Sequence, residues 1–576
     1  MKPIYKKGDQ DDEGNFRGLA IGSAFAKLYS QILLKRLTKF VEEKHLLSPH
    51  QGRSTSDQTF ILQTVIDKFV KKGNKKVFAA FIDFKKAFDT VDRSILMTRL
   101  KDLGISSTFL NNIAAMYNDT KYSIKLNKGH LPPIASNLGL KQGCPLSPLL
   151  FNLYIDDVGS VFTDDCAPLE LHDIKLSHFL YADDMILLSE TEEGLQNSLN
   201  AVHRFSVQKR LEISVKKSKT MVFNKSGRFI KKYFKLNGKL LEPVQDFCYL
   251  GFEVKASGIT SHAMNTLYDK ANKAMRPLMI SIARFNIPVK KAVHLFHTFI
   301  APIALYNAEN WMVLGDKRIS KFHDVSIFDS NDFKIDILHR KFLRYVLGVT
   351  KSCPNISIYG DTGEIPCSLR GVRQLLNFWY RITTSPDECL TKKALYENIR
   401  LRTNWIKTVE KFLGFFNLTE NIGKLVSFKN KGKSNAKAKY HEFWKKSLIV
   451  PPSRLLFYKS LKCEPEFEEY LNIERFVNRR AIAKIRTSDH HLEIERGRHI
   501  DIPRDRRICK ICPLKQVEDE KHFLTQCTFY NRYKPNYELD FTNDIELMTK
   551  SNKETLGEYL KNVLDERKLF KDWFSL

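Results

Sequence analysis

Apolar runs that stop abruptly on acids dominate the patterning of this chain. "VFAAFIDF" (77–84) is almost unbroken in apolar side chains, which predicts a buried strand delivering Asp83 at its end. "DTVDRSILMTRLKDL" (89–103) repeats apolar residues at helical spacing and stops at Gly104. "HFLYADDMILLSE" (178–190) holds Asp183 and Asp184 between two short apolar runs, predicting a tight β-hairpin with both acids at its tip. Pro145, Ser147 and Pro148 lead into an apolar helix beginning near Leu149. Residues 256–350 are rich in helical spacing, as in "KANKAMRPLMISIARF" and "ILHRKFLRYVLGV", with basic residues on the polar faces.

Adjacent carboxylates in half-buried surroundings repel each other, so a solvated turn is the plain alternative for Asp183–Asp184. A third carboxylate, Asp83, changes the balance if its strand lies beside the hairpin. Three acids together are costly unless cations occupy them, and oxygen-only ligands point to Mg²⁺ or Mn²⁺. Two such ions about 3.5–4 Å apart would suit in-line phosphoryl displacement.

Composition supports a polyanionic partner. Lys plus Arg outnumber Asp plus Glu by 93 to 65, a net charge of +28 on 576 residues, which favours nucleic acid. A membrane partner is disfavoured, because no run of about eighteen uncharged apolar residues occurs and "MKPIYKKGDQDDEG" does not read as a signal peptide. Cys144, Cys166, Cys248, Cys353, Cys367, Cys389 and Cys463 are scattered, which suits a reducing, intracellular setting. Cys509, Cys512 and Cys527 instead cluster with His522 as Cys-x2-Cys-x9-His-x4-Cys, a spacing suited to a closed tetrahedral Zn²⁺ site. The Lys-rich stretch "FKNKGKSNAKAKYHEFWKK" (428–446) reads as a mobile linker whose Phe443 and Trp444 either stack on bases or anchor the next helix.

"FIDFKKAFDTVDR", "GLKQGCPLSPLLFNLYIDDV" (139–158), "YADDMILL" and "FCYLGFEV" (247–254) occur in the order found in reverse transcriptases of non-LTR retrotransposons, and the chain resembles that LINE or jockey-like family. "PIYKKGDQDDEGNFRGLAIGSAFAKLYSQIL" (3–33) looks like the family's fingers segment. The resemblance covers residues 1–255 and extends more weakly to about 530. It implies that Asp83 and Asp183 ligate two Mg²⁺ (or Mn²⁺) ions with Asp184 in support, and that Phe88 packs under the sugar and favours deoxynucleotides. It also implies that Gln142 and Gly143 lie at the nucleotide pocket, that Lys217, with Lys219 as rival, serves the pyrophosphate leaving group, and that Tyr249-Leu250-Gly251 grips the primer end. "EDEKHFLTQC" resembles the family's C-terminal zinc knuckle, which would contact RNA or target DNA or serve structure alone.

Two departures qualify this reading. Gln51-Gly52-Arg53-Ser54-Thr55 is shorter than the family's fingers segment and lacks its triphosphate-holding arginine, leaving Arg17 and Arg53 as substitutes. No endonuclease domain is recognisable, so the chain is expected to be a truncated element copy or partial gene product.

The expected fold is α+β: a right-hand polymerase with fingers and palm (1–255), helical thumb (256–350), basic helical linker region (351–480), zinc-knuckle-like module (481–540) and tail (541–576). The expected activity is RNA-directed DNA synthesis, with an RNA template, a DNA primer or target and deoxynucleoside triphosphates as partners. A nuclear or cytoplasmic ribonucleoprotein setting follows from the resemblance. Two other functions stay open: a catalytically inactive nucleic-acid-binding relic, and an RNA-directed RNA polymerase, against which Phe88 and "YADD" argue.

Overall fold

The run Val77–Asp83 forms the central strand of a five-stranded mixed sheet. Its order is His178–Tyr181, Asp184–Ser189, Val77–Asp83, Lys219–Phe223, Glu242–Pro243, antiparallel except for the last pair. The computed structural model describes the whole chain except residues 7, 13–14, 49–53, 119, 127–128, 259–260, 322–332, 420–424, 450–452, 536–538 and 574–576. Helices and strands are mixed throughout the first part of the chain, and the described residues fall into two units: Met1–Thr260 with Ile382–Ile406, and Ser261–Arg381 with Lys407–Leu576.

In the first unit, both faces of the central strand are buried, which is why its sequence reads as a continuous apolar run rather than an alternation. Ala80 and Ile82 join a core with Leu150, Phe151, Met185, Leu195, Leu199 and Phe205. The alternate residue Phe81 stacks on Phe247 (4.4 Å between centroids) and lies against Tyr249 (5.7 Å), both from the hairpin strand Asp246–Tyr249. The predicted helix over 89–103 is divided. A short turn of helix, Ala87–Thr90, ends at Val91, and Asp92 starts a new helix, Arg93–Asp102, by accepting hydrogen bonds from the backbone N–H groups of Ser94 and Ile95. The apolar helix expected near Leu149 runs Ser147–Ile155, with Pro148 in its first turn.

The segment Ile382–Ile406 lies within the stretch read from sequence as one basic helical region, yet it belongs to the first unit. Its helix Leu390–Arg400 packs on the helix Thr55–Val65. Asn398 donates to Thr64 Oγ1 at 2.7 Å, Lys68 pairs with the buried Glu397 at 3.1 Å, and Phe60 meets Trp405 at 4.7 Å.

The second unit is helical. Asp361 anchors one part of it, accepting from Tyr458, Tyr470 and Arg486, all fully buried. Further along, the helices Phe476–Arg486 and Lys553–Trp573 pack closely enough that a Cβ on Gly557 would sit 2.9 Å from Asn478 Cβ. The Lys-rich stretch 428–446 is not a linker: it lies inside the helix Leu425–Ile449. Phe428, Ala436, Tyr440, Trp444 and Leu448 recur at multiples of four residues and are buried, so tertiary packing overrides the poor helix propensity of its Gly, Ser and Asn residues. Trp444 donates its ring N–H to the Ile356 carbonyl at 2.9 Å and anchors this helix, so it is closed to base stacking. No described helix is long and apolar enough to cross a membrane.

Candidate active site

Backbone register brings the first two acids together. Asp184 is the Cα partner of Asp83 across the antiparallel pair, so their side chains project from the same face of the sheet as Phe81 and Ile186. Asp183 sits one residue away in the two-residue turn Ala182–Asp183 that closes the hairpin between Tyr181 and Asp184. Ala182 holds φ +53°, a left-handed position that favours glycine, and the paired strands hold the turn in place at a cost of about 1 kcal/mol.

The surroundings disfavour charge on both hairpin acids. Burial, with Asp183 and Asp83 adding repulsion, pushes the Asp184 carboxyl up to about 6. Burial and the neighbouring Asp83 also push Asp183 upward, opposed by the cations Arg17 and Lys217. Lys217 Nζ lies 3.4 Å from Asp83 Oδ2, an oxygen that is buried and accepts no hydrogen bond. On the backbone side, Asp83 N–H donates to Ser218 Oγ at 3.1 Å and its carbonyl accepts from Ser214 N–H at 2.8 Å. Lys219, the rival of Lys217, is engaged elsewhere, donating to Glu242 at 2.5 Å and to the Lys216 carbonyl at 2.8 Å.

A donor set made only of carboxylate oxygens, one of them buried and accepting no hydrogen bond, fits a hard divalent cation. A pH prediction follows for the metal-free chain. The folded state holds the Asp184 proton up to about 6, whereas the unfolded chain releases it near 3.8. Stability contributed by this group is therefore present at low pH and falls as pH rises through that window. Urea unfolding should show a steeper fall across this window in wild type than in Asp184→Asn, where other buried carboxyls such as Asp156 still contribute, and Mg²⁺ should offset the loss above pH 6.

Residues 4–254 match the family described as reverse transcriptase (RNA-dependent DNA polymerase). These residues are a reverse transcriptase domain. The retrovirus-related Pol polyprotein from a type-1 R2 retrotransposable element of Popillia japonica is 28% identical over 320 residues, covering 53% of this chain and 43% of that protein. The probable RNA-directed DNA polymerase from transposon BS of Drosophila melanogaster is 26% identical over 344 residues, covering 55% and 36% respectively. The chain thus spans less than half the length of these relatives. Among solved structures, apo telomerase from Candida tropicalis overlaps 71% of this chain and 60% of that one, at 10% identity and a TM-score of 0.32.

Other residues singled out from the sequence take varied places in the reverse transcriptase domain. Phe88 stacks on Phe151 (4.7 Å) at the edge of the core and stays partly exposed. Gln142 donates its side-chain amide to Asp89 at 2.7 Å, and its carbonyl accepts from Ala20 N–H at 2.8 Å, joining this loop to the N-terminal hairpin. Gly143 is required there: its φ is +106°, and a Cβ would approach the Ala20 carbonyl to 3.0 Å. Arg17, on the strand Phe16–Leu19, is exposed and contributes positive charge toward Asp183. Arg53 lies outside the described residues.

Sequence reasoning did not find Ser218, Asp89 or the role of Tyr249. Tyr249 begins a tight turn through Leu250 (φ +49°) and Gly251 (φ +77°), and its buried hydroxyl, without a hydrogen-bond partner, lies close enough to Asp184 to feel its charge. "YLG" signals the turn; nothing in it signals that the tyrosine is buried near Asp184.

In the second unit, Cys509, Cys512, His522 and Cys527 are all buried, with their ligand atoms within 4.8 Å of one another. Cys512 Sγ and His522 Nε2 are 3.4 Å apart, close to the edge of a tetrahedron with bonds of about 2.0–2.3 Å. Gln516 Oε1 lies 3.3 Å from His522 Nδ1 and turns the other ring nitrogen toward the thiols.

Proposed function

We propose that this chain is an RNA-directed DNA polymerase of the non-LTR retrotransposon class, joining a primer 3′-hydroxyl to the α-phosphate of a deoxynucleoside triphosphate on an RNA template. The observation that carries this reading is the register pairing of Asp83 with Asp184, with Asp183 in the adjoining turn and Lys217 at 3.4 Å from Asp83. In this reading the sheet unit is fingers and palm, the helices from Ser261 onward supply a thumb, and the Cys/His cluster is a zinc-knuckle-like module.

Asp83 and Asp183 would hold two Mg²⁺ (or Mn²⁺) ions, with Asp184 supporting them. When bound, the metal supplies Lewis-acid stabilisation of the reacting phosphoryl oxygens. The chain's own residues do the rest. Strand pairing fixes where the carboxylates point, and the buried Tyr249 adds to the dry surroundings near Asp184. Lys217, 68% exposed, is placed to donate a proton to the leaving pyrophosphate, and Arg17 to attract the triphosphate. Gln142 and Gly143 shape the nucleotide pocket. Phe88, held flat on Phe151, is placed to clash with a 2′-hydroxyl. Cys509, Cys512, His522 and Cys527 would hold Zn²⁺ in a closed site. The surplus of +28 suits phosphate contacts with template and primer, in a ribonucleoprotein of the nucleus or cytoplasm.

Primer extension on an RNA template, with deoxy- or ribonucleotides and Mg²⁺, tests the reading. Deoxynucleotide incorporation supports it, and ribonucleotide preference overturns it in favour of an RNA polymerase. The shortened segment Gln51–Thr55 favours the second reading, a nucleic-acid-binding relic, which salt-sensitive RNA binding without incorporation would select. Phe88→Ala is expected to raise ribonucleotide use relative to deoxynucleotide use by roughly 10–100-fold, read as the ratio of the two kcat/KM values.

A further inference from the structure

Away from the carboxylate hairpin and the cysteine cluster, the helical unit buries a second group of metal-binding side chains. His297 sits on a π-helical stretch, Phe296–Ile300, a distortion that recurs at functional sites. His339 lies on the helix Lys334–Leu347. Glu364 follows Gly363, whose φ of +66° turns the chain out of the helix Asn355–Thr362, and a Cβ there would meet Phe467 N at 2.8 Å. One ligand atom from each of His297, His339 and Glu364 lies within 4.8 Å of the others.

A buried His–Glu hydrogen bond explains only part of this group. His297 Nε2 and Glu364 Oε2 are 2.7 Å apart and satisfy each other. His339 is different: it is 0% exposed, and neither ring nitrogen has a hydrogen-bond partner. Its ring is held by stacking on Phe296 (5.0 Å), with Nε2 3.8 Å from the same Glu364 oxygen. Each buried unsatisfied polar atom costs about 1–3 kcal/mol. Two imidazoles and one carboxylate, all reaching one point, are a donor set for a divalent transition metal.

We propose that His297, His339 and Glu364 bind a divalent transition-metal ion of the zinc class, separate from the cysteine-ligated site. Ligands on bonds of about 2.0–2.1 Å are about 3.3 Å apart in a tetrahedron, so the 2.7 and 3.8 Å separations of the two imidazoles from Glu364 need shifts of about half an ångström, and the imidazoles, within 4.8 Å of each other, would close on the ion by side-chain rotation. Three protein ligands leave a fourth position open. His297 also lines a cavity of about 260 Å³ with Arg370 and Arg373. These guanidinium groups, with Arg340 near His339, oppose a bare cation and favour an anionic fourth ligand. The site is therefore of the open, three-ligand kind rather than the closed structural kind.

The test is metal content of the full chain after chelator stripping, reloading with Zn²⁺ and desalting. Glu364→Gln and His339→Asn should each hold one equivalent fewer than wild type, and Cys512→Ser/Glu364→Gln one fewer than Cys512→Ser alone. Equal content in wild type and both single variants would overturn the proposal. Should these variants misfold, Cys512→Ser reloaded with Co²⁺ decides. A visible ligand-field band without thiolate charge transfer supports the site, and its absence overturns it.

Discussion

Asp183→Ala is expected to lower deoxynucleotide incorporation on an RNA template by about 10³-fold or more while leaving salt-sensitive RNA binding near the wild-type level. Metal-held stabilisation of a phosphoryl transition state is worth several kcal/mol, and each 1.36 kcal/mol is a factor of ten in rate. Asp183 sits in the turn rather than in the ladder, so its side chain can be truncated without removing a strand hydrogen bond, and the fold should survive. The protein should if anything be more stable without metal, since removing one acid relieves Asp184 of repulsion. Full incorporation by Asp183→Ala would remove this carboxylate from the chemistry. A loss accompanied by lost RNA binding or a collapsed melting transition would show structural damage instead.

The second large effect is expected at the cysteine cluster. Cys512→Ser should weaken Zn²⁺ binding by more than about 100-fold and loosen residues 509–527, read as faster amide exchange there. The segment has little regular structure of its own, a β-bridge from Ile508 to Val517 and a one-turn π-helical piece at His522–Gln526, and outside the cysteine cluster it is tied down mainly where Glu518 pairs with the buried Arg567 and Glu520 with His490. Unchanged exchange and zinc content in Cys512→Ser would mean that the cluster is a group of reduced thiols packed for other reasons.

Motif residues were legible in the sequence as specific side chains at fixed spacing. Asp83, Asp183 and Asp184 stand where an apolar strand and hairpin deliver them, and Cys509, Cys512, His522 and Cys527 converge as their spacing suggests. What escaped was long-range or compositional. Tyr249 comes near Asp184 because its hairpin packs by Phe247 and Tyr249 on Phe81 of the central strand, a contact that no local pattern encodes. The helix over the Lys-rich stretch was hidden by its composition, although Phe428, Ala436, Tyr440, Trp444 and Leu448 recorded it in their spacing. The group formed by His297, His339 and Glu364 brings together residues far apart in the chain and carries no motif at all.

The return of Ile382–Ile406 to the sheet unit bears on how this protein is made. During synthesis, the first 260 residues leave the ribosome well before the helix that completes their packing. Until then Lys68 lacks its carboxylate partner, Thr64 lacks Asn398, and Phe60 lacks Trp405. Such distant contacts slow folding and leave an incomplete, aggregation-prone intermediate. A fragment cut at the boundary of the matched region, 4–254, would carry every carboxylate of the candidate site and still lack a wall of its own core.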